Sequence, residues 1–168
     1  AHVQELRLAE LSQQDVAALV AESVGNHPLV RSLRQRIVER SGGNPFFAEE
    51  LVRVLADQGS LVGEAGHYLV TDGDPSETLP ATVQSVIGAR IDRLREGDKT
   101  VLQIGATVGR EFPLAVLEEV SDLTREQVAD SLTRLCNLDL LRHAVGADGS
   151  MFYAFRQPLI QVVAYAMQ

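Results

Sequence analysis

The sequence predicts a mainly α-helical fold in two parts, with two short β-hairpins. Three observations predict it. Apolar residues recur at three- and four-residue spacing through most of the 168 residues, which is the period of an amphipathic helix. Two places, Ser60–Asp72 and Leu138–Arg156, instead hold short apolar runs around glycines, as hairpins do. Between the helical sets lies TDGDPSETLP, a stretch of Gly, Pro, Ser and Asp with the composition of a linker.

Taken in order, HVQELRLAEL alternates Val3, Leu6 and Leu8 and reads as one strand. A lone strand leaves its backbone groups unpaired, so this one is expected to belong to a sheet lying elsewhere. Ser12 caps a helix over SQQDVAALVAESV, with Asp15 closing an acidic variant of the capping box. After a break at Asn26–Pro28, LVRSLRQRIVER places Leu29, Leu33 and Ile37 on one helix face. The next stretch, RSGGNPFFAEEL, stops that helix and starts another. Gly42 or Gly43 takes the left-handed turn, Asn44 is the N-cap, Pro45 occupies the first helical position, and Glu49 and Glu50 face the positive helix end. That helix continues through Phe47, Leu51, Val54 and Leu55 to Gly59, and a hairpin follows around Gly63–Gly66.

Beyond the linker, Pro80 opens a helix with Val83, Ile87, Ile91 and Leu94 on one face. Gly97 stops it and Asp98 caps KTVLQIGATVG. A short helix starts at Pro113, and Thr124 with Gln127 makes a capping box for REQVADSLTRLCNL. LDLLRHA and MFYAFR form the second hairpin, turning at Gly146–Gly149, and PLIQVVAYAMQ is a final helix. Helices followed by a two-stranded wing are the winged-helix arrangement.

Composition narrows the function classes. A net charge of −8 argues against a nucleic-acid binder, since neutralising phosphates needs clustered cations. The single cysteine, Cys136, forms no internal disulfide and reads as a core thiol; the cytosol is the expected compartment. No apolar run reaches the length of a membrane helix, so no membrane partner is expected. The only lysine, Lys99, lies in GDKT, which lacks the earlier glycines of a phosphate loop. His2, His27, His67 and His143 lack metal-ligand spacing, and the pairs Glu49–Glu50 and Glu118–Glu119 point to different helix faces. No catalytic residue and no metal site is expected.

Three blocks carry a resemblance: GNPFFAEELVRVLADQGSLV, then LPATVQSVIGARIDRLREGDKTVLQIGATVGREFPLAVLEEV, then FRQPLIQVVAY. In this order and spacing they resemble the region that follows the ATPase core in the signal-transduction ATPases with numerous domains. The nearest subgroup is the bacterial one associated with class III adenylate/guanylate cyclase domains, tetratricopeptide repeats or transcriptional regulators. The resemblance implies that residues 1–10 are the last strand of an ATPase core, 11–72 a helical lid with its hairpin, 73–79 a linker and 80–168 a winged-helix domain. It implies a nucleotide-dependent switch in which ATP or ADP is held by the parent protein, with Mg²⁺ supplied by the upstream core and no cofactor bound by this chain alone. Gly43, Asn44 and Pro45 would line the adenine and ribose side. Relatives carry a histidine where Gln157 stands; Gln157, with Arg156 as a substitute cation, would reach toward the ADP phosphates. The implied partners are that core and cyclase or tetratricopeptide-repeat domains. The alternatives are a DNA-binding winged helix or a nucleotide-independent adaptor.

Overall fold

The computed structural model describes residues 11–25, 27–71, 79–145 and 150–168. The strand expected over residues 3–8, the Gly146–Gly149 turn and all of the 73–79 linker except Leu79 lie outside them. Among the described residues the fold is mainly helical, with eight α-helices and two small antiparallel sheets. The chain divides into two compact units, Ala1–Val86 and Ile87–Gln168, the division falling inside helix α4 (Val83–Asp92).

In the first unit, α1 (Gln13–Val24), α2 (Arg31–Ser41) and α3 (Pro45–Asp57) pack against one another. Each buries the stripe its sequence period dictates: Val16, Val20 and Val24; Leu33, Ile37 and Val38; Phe47, Leu51, Val54 and Leu55. The Ser12 hydroxyl accepts from the Asp15 N–H at 3.2 Å and donates to the Asp15 carboxylate at 2.6 Å, so half of the expected box is replaced by a side-chain pair. A 3₁₀ turn (Pro28–Val30) precedes α2, which has no side-chain cap.

The end of α3 is a full Schellman motif. Ser60 N–H donates to the Leu55 carbonyl and Gly59 N–H to that of Ala56, with Gly59 at φ +74°. The chain then forms the hairpin of β1 (Leu61–Val62) and β2 (Leu69–Val70). Its loop lies on the end of α1: Gly66 N–H donates to the Ser23 carbonyl (2.8 Å) and Tyr68 N–H to that of Val24 (3.0 Å). Two carbonyls that a helix end leaves without intrahelical partners are satisfied this way.

The second unit holds α5 (Glu96–Val108), β3 (Glu111–Pro113), α6 (Leu114–Val120), α7 (Arg125–Asn137), β4 (Leu141–Val145), β5 (Met151–Phe155) and α8 (Pro158–Ala166). The strands lie in the order β3-β5-β4, all antiparallel, with Phe112 opposite Tyr153 and Leu141 opposite Phe155. Phe112 is fully buried, 5.7 Å edge-on from Phe155 and 6.4 Å from Tyr153. Its ring also lies over Gly105 in α5.

Strand β3 corrects the sequence reading. Pro113 closes a strand and serves as the N-cap of α6 rather than opening that helix. Three residues are too few to show a period, and Pro113 can sit at a strand end because it lacks an N–H to donate. Helix α4 likewise starts at Val83 rather than Pro80, with the Thr82 hydroxyl accepting from Ser85 N–H.

The Thr124–Gln127 capping box forms in both halves, at 2.8 and 3.2 Å. At the other end of α7, Leu140 N–H donates to the Leu135 carbonyl and Asp139 N–H to that of Cys136, a Schellman pattern with Asp139 at φ +55° in the place of glycine. Helix α8 has no charged residue and is tied to α5 by glutamines. Gln103 Nε2 donates to the Met167 carbonyl and Gln161 Nε2 to that of Ala106, while Gln168 Nε2 donates to the Gln103 carbonyl and the Thr107 hydroxyl.

Candidate functional site

The α2–α3 junction is built from local chemistry. Gly42 (φ +57°, ψ +35°) ends α2 in the left-handed region and Gly43 follows at φ +85°. Two successive residues at positive φ are where glycine has no steric penalty. Asn44 returns to extended backbone, and its Oδ1 accepts from Phe47 N–H at 3.1 Å. Pro45 takes the first helical position, where its missing N–H costs nothing. Behind the turn, the buried Ser41 hydroxyl donates to the Val38 carbonyl, and Asn44 N–H donates to the Ser41 carbonyl. Leu11 N–H donates to the Gly43 carbonyl at 3.1 Å.

Exposure differs along the three expected site residues. Gly43 is buried, Asn44 exposed and Pro45 half-buried, so a ligand here meets Asn44 and the proline ring before Gly43. Phe47 N–H is taken by the Asn44 side chain and Ala48 N–H by the Asn44 carbonyl. Glu49 and Glu50 correct the sequence reading. The first turn of α3 has no acidic residue; both glutamates fall in the second turn, where the helix-end field has faded. Glu49 is exposed, and Glu50 is buried at 3% exposure.

Arg156 and Gln157 lie in the second unit, at the β5–α8 junction. Arg156 is exposed, and its backbone N–H donates to the Leu140 carbonyl. Gln157 is the N-cap residue of α8, with Pro158 at the first helical position, yet its side chain makes no capping hydrogen bond. Glutamine is a poor N-cap because its amide sits one methylene too far from the helix start.

Sequence reasoning missed one polar cluster. Asp98 is not a helix cap: α5 begins at Glu96, with Gly97 inside its first turn and Arg95 at the N-cap position. The Asp98 carboxylate, 2% exposed, accepts from Arg134 Nε at 3.0 and 3.1 Å and from Nη2 at 2.7 Å. Arg134 Nη2 also donates to the Ser131 hydroxyl. Ser131 and Arg134, three apart on one face of α7, were the available signal; their partner lies 36 residues away on α5.

Burial pushes the Asp98 pKa up. Hydrogen bonding by Arg134 and Ser131, with the charges of Arg134 and Arg95, outweighs it and holds the carboxyl below its ordinary 3.8. The stabilisation is therefore complete above about pH 4 and is lost as pH falls through the lower folded value. Asp98→Asn should lower stability at neutral pH, with the gap from the parent chain narrowing as pH falls below the ordinary carboxyl value of 3.8. Urea unfolding across this range checks it. A gap that stays constant with pH would mean that the pair does not titrate with folding.

Cys136 is half-buried rather than fully in the core, and burial pushes its thiol pKa up, away from nucleophilic reactivity. Among the described residues no group of three or more His, Cys, Asp or Glu could hold a metal ion, and no helix is long and apolar enough to cross a membrane.

Residues 12–65, from the start of α1 into the β1–β2 loop, are similar to a family described as "Domain of unknown function (DUF8739)". No curated protein matches the chain. No solved structure matches it.

Proposed function

We propose that this chain is the helical lid and winged-helix portion of a multidomain signalling ATPase and works as a nucleotide-dependent conformational switch. The observation that carries the reading is a conjunction in one chain. A helical unit with a Gly43–Asn44–Pro45 junction precedes a unit ordered α5, β3, α6, α7, β4, β5, α8, whose strands run β3-β5-β4. That strand order, with the β4–β5 hairpin following the three helices α5, α6 and α7 and preceding α8, supports a winged helix. Exposed Asn44 and half-buried Pro45 support a nucleotide contact at the lid, and the Gln157 amide, not used for capping, supports one at the wing. In the proposed parent, the phosphate loop and Mg²⁺ site belong to a core preceding Ala1, and cyclase or tetratricopeptide-repeat domains are the effector partners. This chain contributes closure over the nucleotide and no hydrolytic group.

The DNA-binding alternative is weaker because both arginines of α7 face carboxylates. Arg134 is held by Asp98, and Arg125 lies 3.5 Å from Glu118. A groove-reading helix needs such side chains for phosphates and bases.

Fluorescent ADP titrated into the parent protein tests the proposal. The parent should bind, and Asn44→Ala together with Gln157→Ala should weaken binding by about tenfold, equivalent to about 1.4 kcal/mol. The 168-residue chain alone should neither bind ADP tightly nor hydrolyse ATP. A parent that binds no nucleotide, or repurified turnover by the chain alone, would overturn the reading.

A further inference from the structure

We infer that the cleft between the α4–α5 connection and the end of α7 binds small molecules bearing a phosphate dianion, a role separate from nucleotide switching. Residues 87–168 carry more carboxylates than cations, eleven against nine. The cleft, about 300 Å³, reverses that balance: Arg93, Arg95 and Arg134 border it with one carboxylate, Asp98. Asp98 is already committed to Arg134, so two positive charges are left over.

The walls are fixed before a ligand arrives. Arg90, buried on α4, donates from Nη2 to the Leu138 carbonyl and ties α4 to the end of α7. Asp98 and Ser131 hold Arg134 by Nε and Nη2, which joins α5 to α7. That grip leaves Arg134 Nη1, with its N–H donors, without a hydrogen bond among the described residues. Arg93 and Arg95 are exposed and make no hydrogen bond or ion pair among the described residues; Arg95 acts on Asp98 only through its charge. Asn137, also exposed, adds a side-chain amide with no hydrogen bond among them. A guanidinium already held by its neighbours loses little freedom when it takes up a ligand.

Charge, shape and size select that ligand. A carboxylate would bring one negative charge to two uncompensated cations, whereas a phosphate monoester brings about two at neutral pH. Its three terminal oxygens can accept from donors on both α7 and the α4–α5 connection, where a carboxylate offers one planar edge. The volume stands at the lower end of small-molecule sites. The rest of the ligand is therefore small, and Leu94 and Leu138 give it an apolar wall.

The test titrates methyl phosphate into the full chain at about pH 8, above its second ionisation near pH 6, and reads amide shifts by NMR. Saturable shifts of millimolar affinity should centre on residues 93–96 and 134–138. Acetate at equal ionic strength should bind at least about tenfold more weakly, as should methyl phosphate at about pH 5, where it is mostly a monoanion. Asp98 stays ionised there, because its carboxyl is held below 3.8, so the cleft itself keeps its charge. Arg93→Gln/Arg95→Gln should weaken binding at least about tenfold. Arg93→Gln alone serves if the double variant melts early. The charge-matched control Arg110→Gln/Arg142→Gln, exposed positions elsewhere in the second unit, should leave binding near the parent value. No saturable shift, equal losses in the two double variants, acetate bound as tightly, or shifts centred instead on the proposed nucleotide contacts at 156–157 would each overturn the inference.

Discussion

Replacing Gly25 by alanine should destabilise the first unit by about 3–5 kcal/mol, from two separate costs. Gly25 closes α1 at φ +94° and ψ 179°, a backbone region that is essentially glycine's alone and costs other residues about 1–3 kcal/mol. A Cβ there would also stand 2.4 Å from the Gly66 carbonyl oxygen and 3.0 Å from its carbon. Those are backbone atoms, so relief requires the hairpin to back away from α1. Doing so stretches the bonds from Gly66 to Ser23 and from Tyr68 to Val24, each worth about 1 kcal/mol. Gly59→Ala is the internal standard. Gly59 is also at positive φ, but nothing lies within 4 Å of its would-be Cβ, so only the conformational cost of about 1 kcal/mol applies. Urea unfolding of both variants makes the comparison. Equal losses would show that the hairpin yields freely and that the close approach carries no energy.

Phe112→Ala should cost the second unit about 3–5 kcal/mol, because a fully buried ring between α5 and β5 leaves a cavity that the sheet cannot collapse into. Gly105 sharpens the prediction. Mid-helix, glycine to alanine is ordinarily stabilising by about 1 kcal/mol. Here an added Cβ would meet two atoms of the Phe112 ring at 2.6 Å. That ring is held by Phe155 and Tyr153 and has nowhere to turn. Overpacking of this kind costs about 1–3 kcal/mol, so Gly105→Ala should lower stability despite the better helix former. Combining it with Phe112→Leu should recover part of the loss, since the smaller side chain vacates the contact. Strict additivity in that double-mutant cycle would separate the two positions energetically.

What the sequence made legible follows the range of each interaction. Helices with a clean apolar period and a local cap could be read directly, as with Val16–Val20–Val24 behind Ser12 and the Thr124–Gln127 box before Val128. The Gly42–Gly43–Asn44–Pro45 junction could be read for the same reason, since every group that shapes it lies within a few residues. Phase within the helix was harder: Glu49 and Glu50 were set one turn too close to the helix start. Strand β3 was hidden because its partner, β5, is some forty residues away and three residues carry no alternation. The Asp98–Arg134 pair was hidden by the same distance, and its aspartate mimicked a cap. Arg156 and Gln157 had no local signature of a site; only the family resemblance pointed to them.

The glutamine ties of α8 carry a consequence of their own. Most helices wear charge, and the solution can speak to them through ions and protons. Helix α8 has no charged residue, and its polar links to α5 run from neutral side-chain amides to backbone carbonyls and one hydroxyl. Such a joint is deaf to ionic strength and to physiological pH, since nothing in it titrates or attracts counterions. The Asp98–Arg134 clasp between α5 and α7 is responsive to acid. One helix, α5, is thus gripped on one side by a chemical lock and on the other by a purely mechanical one.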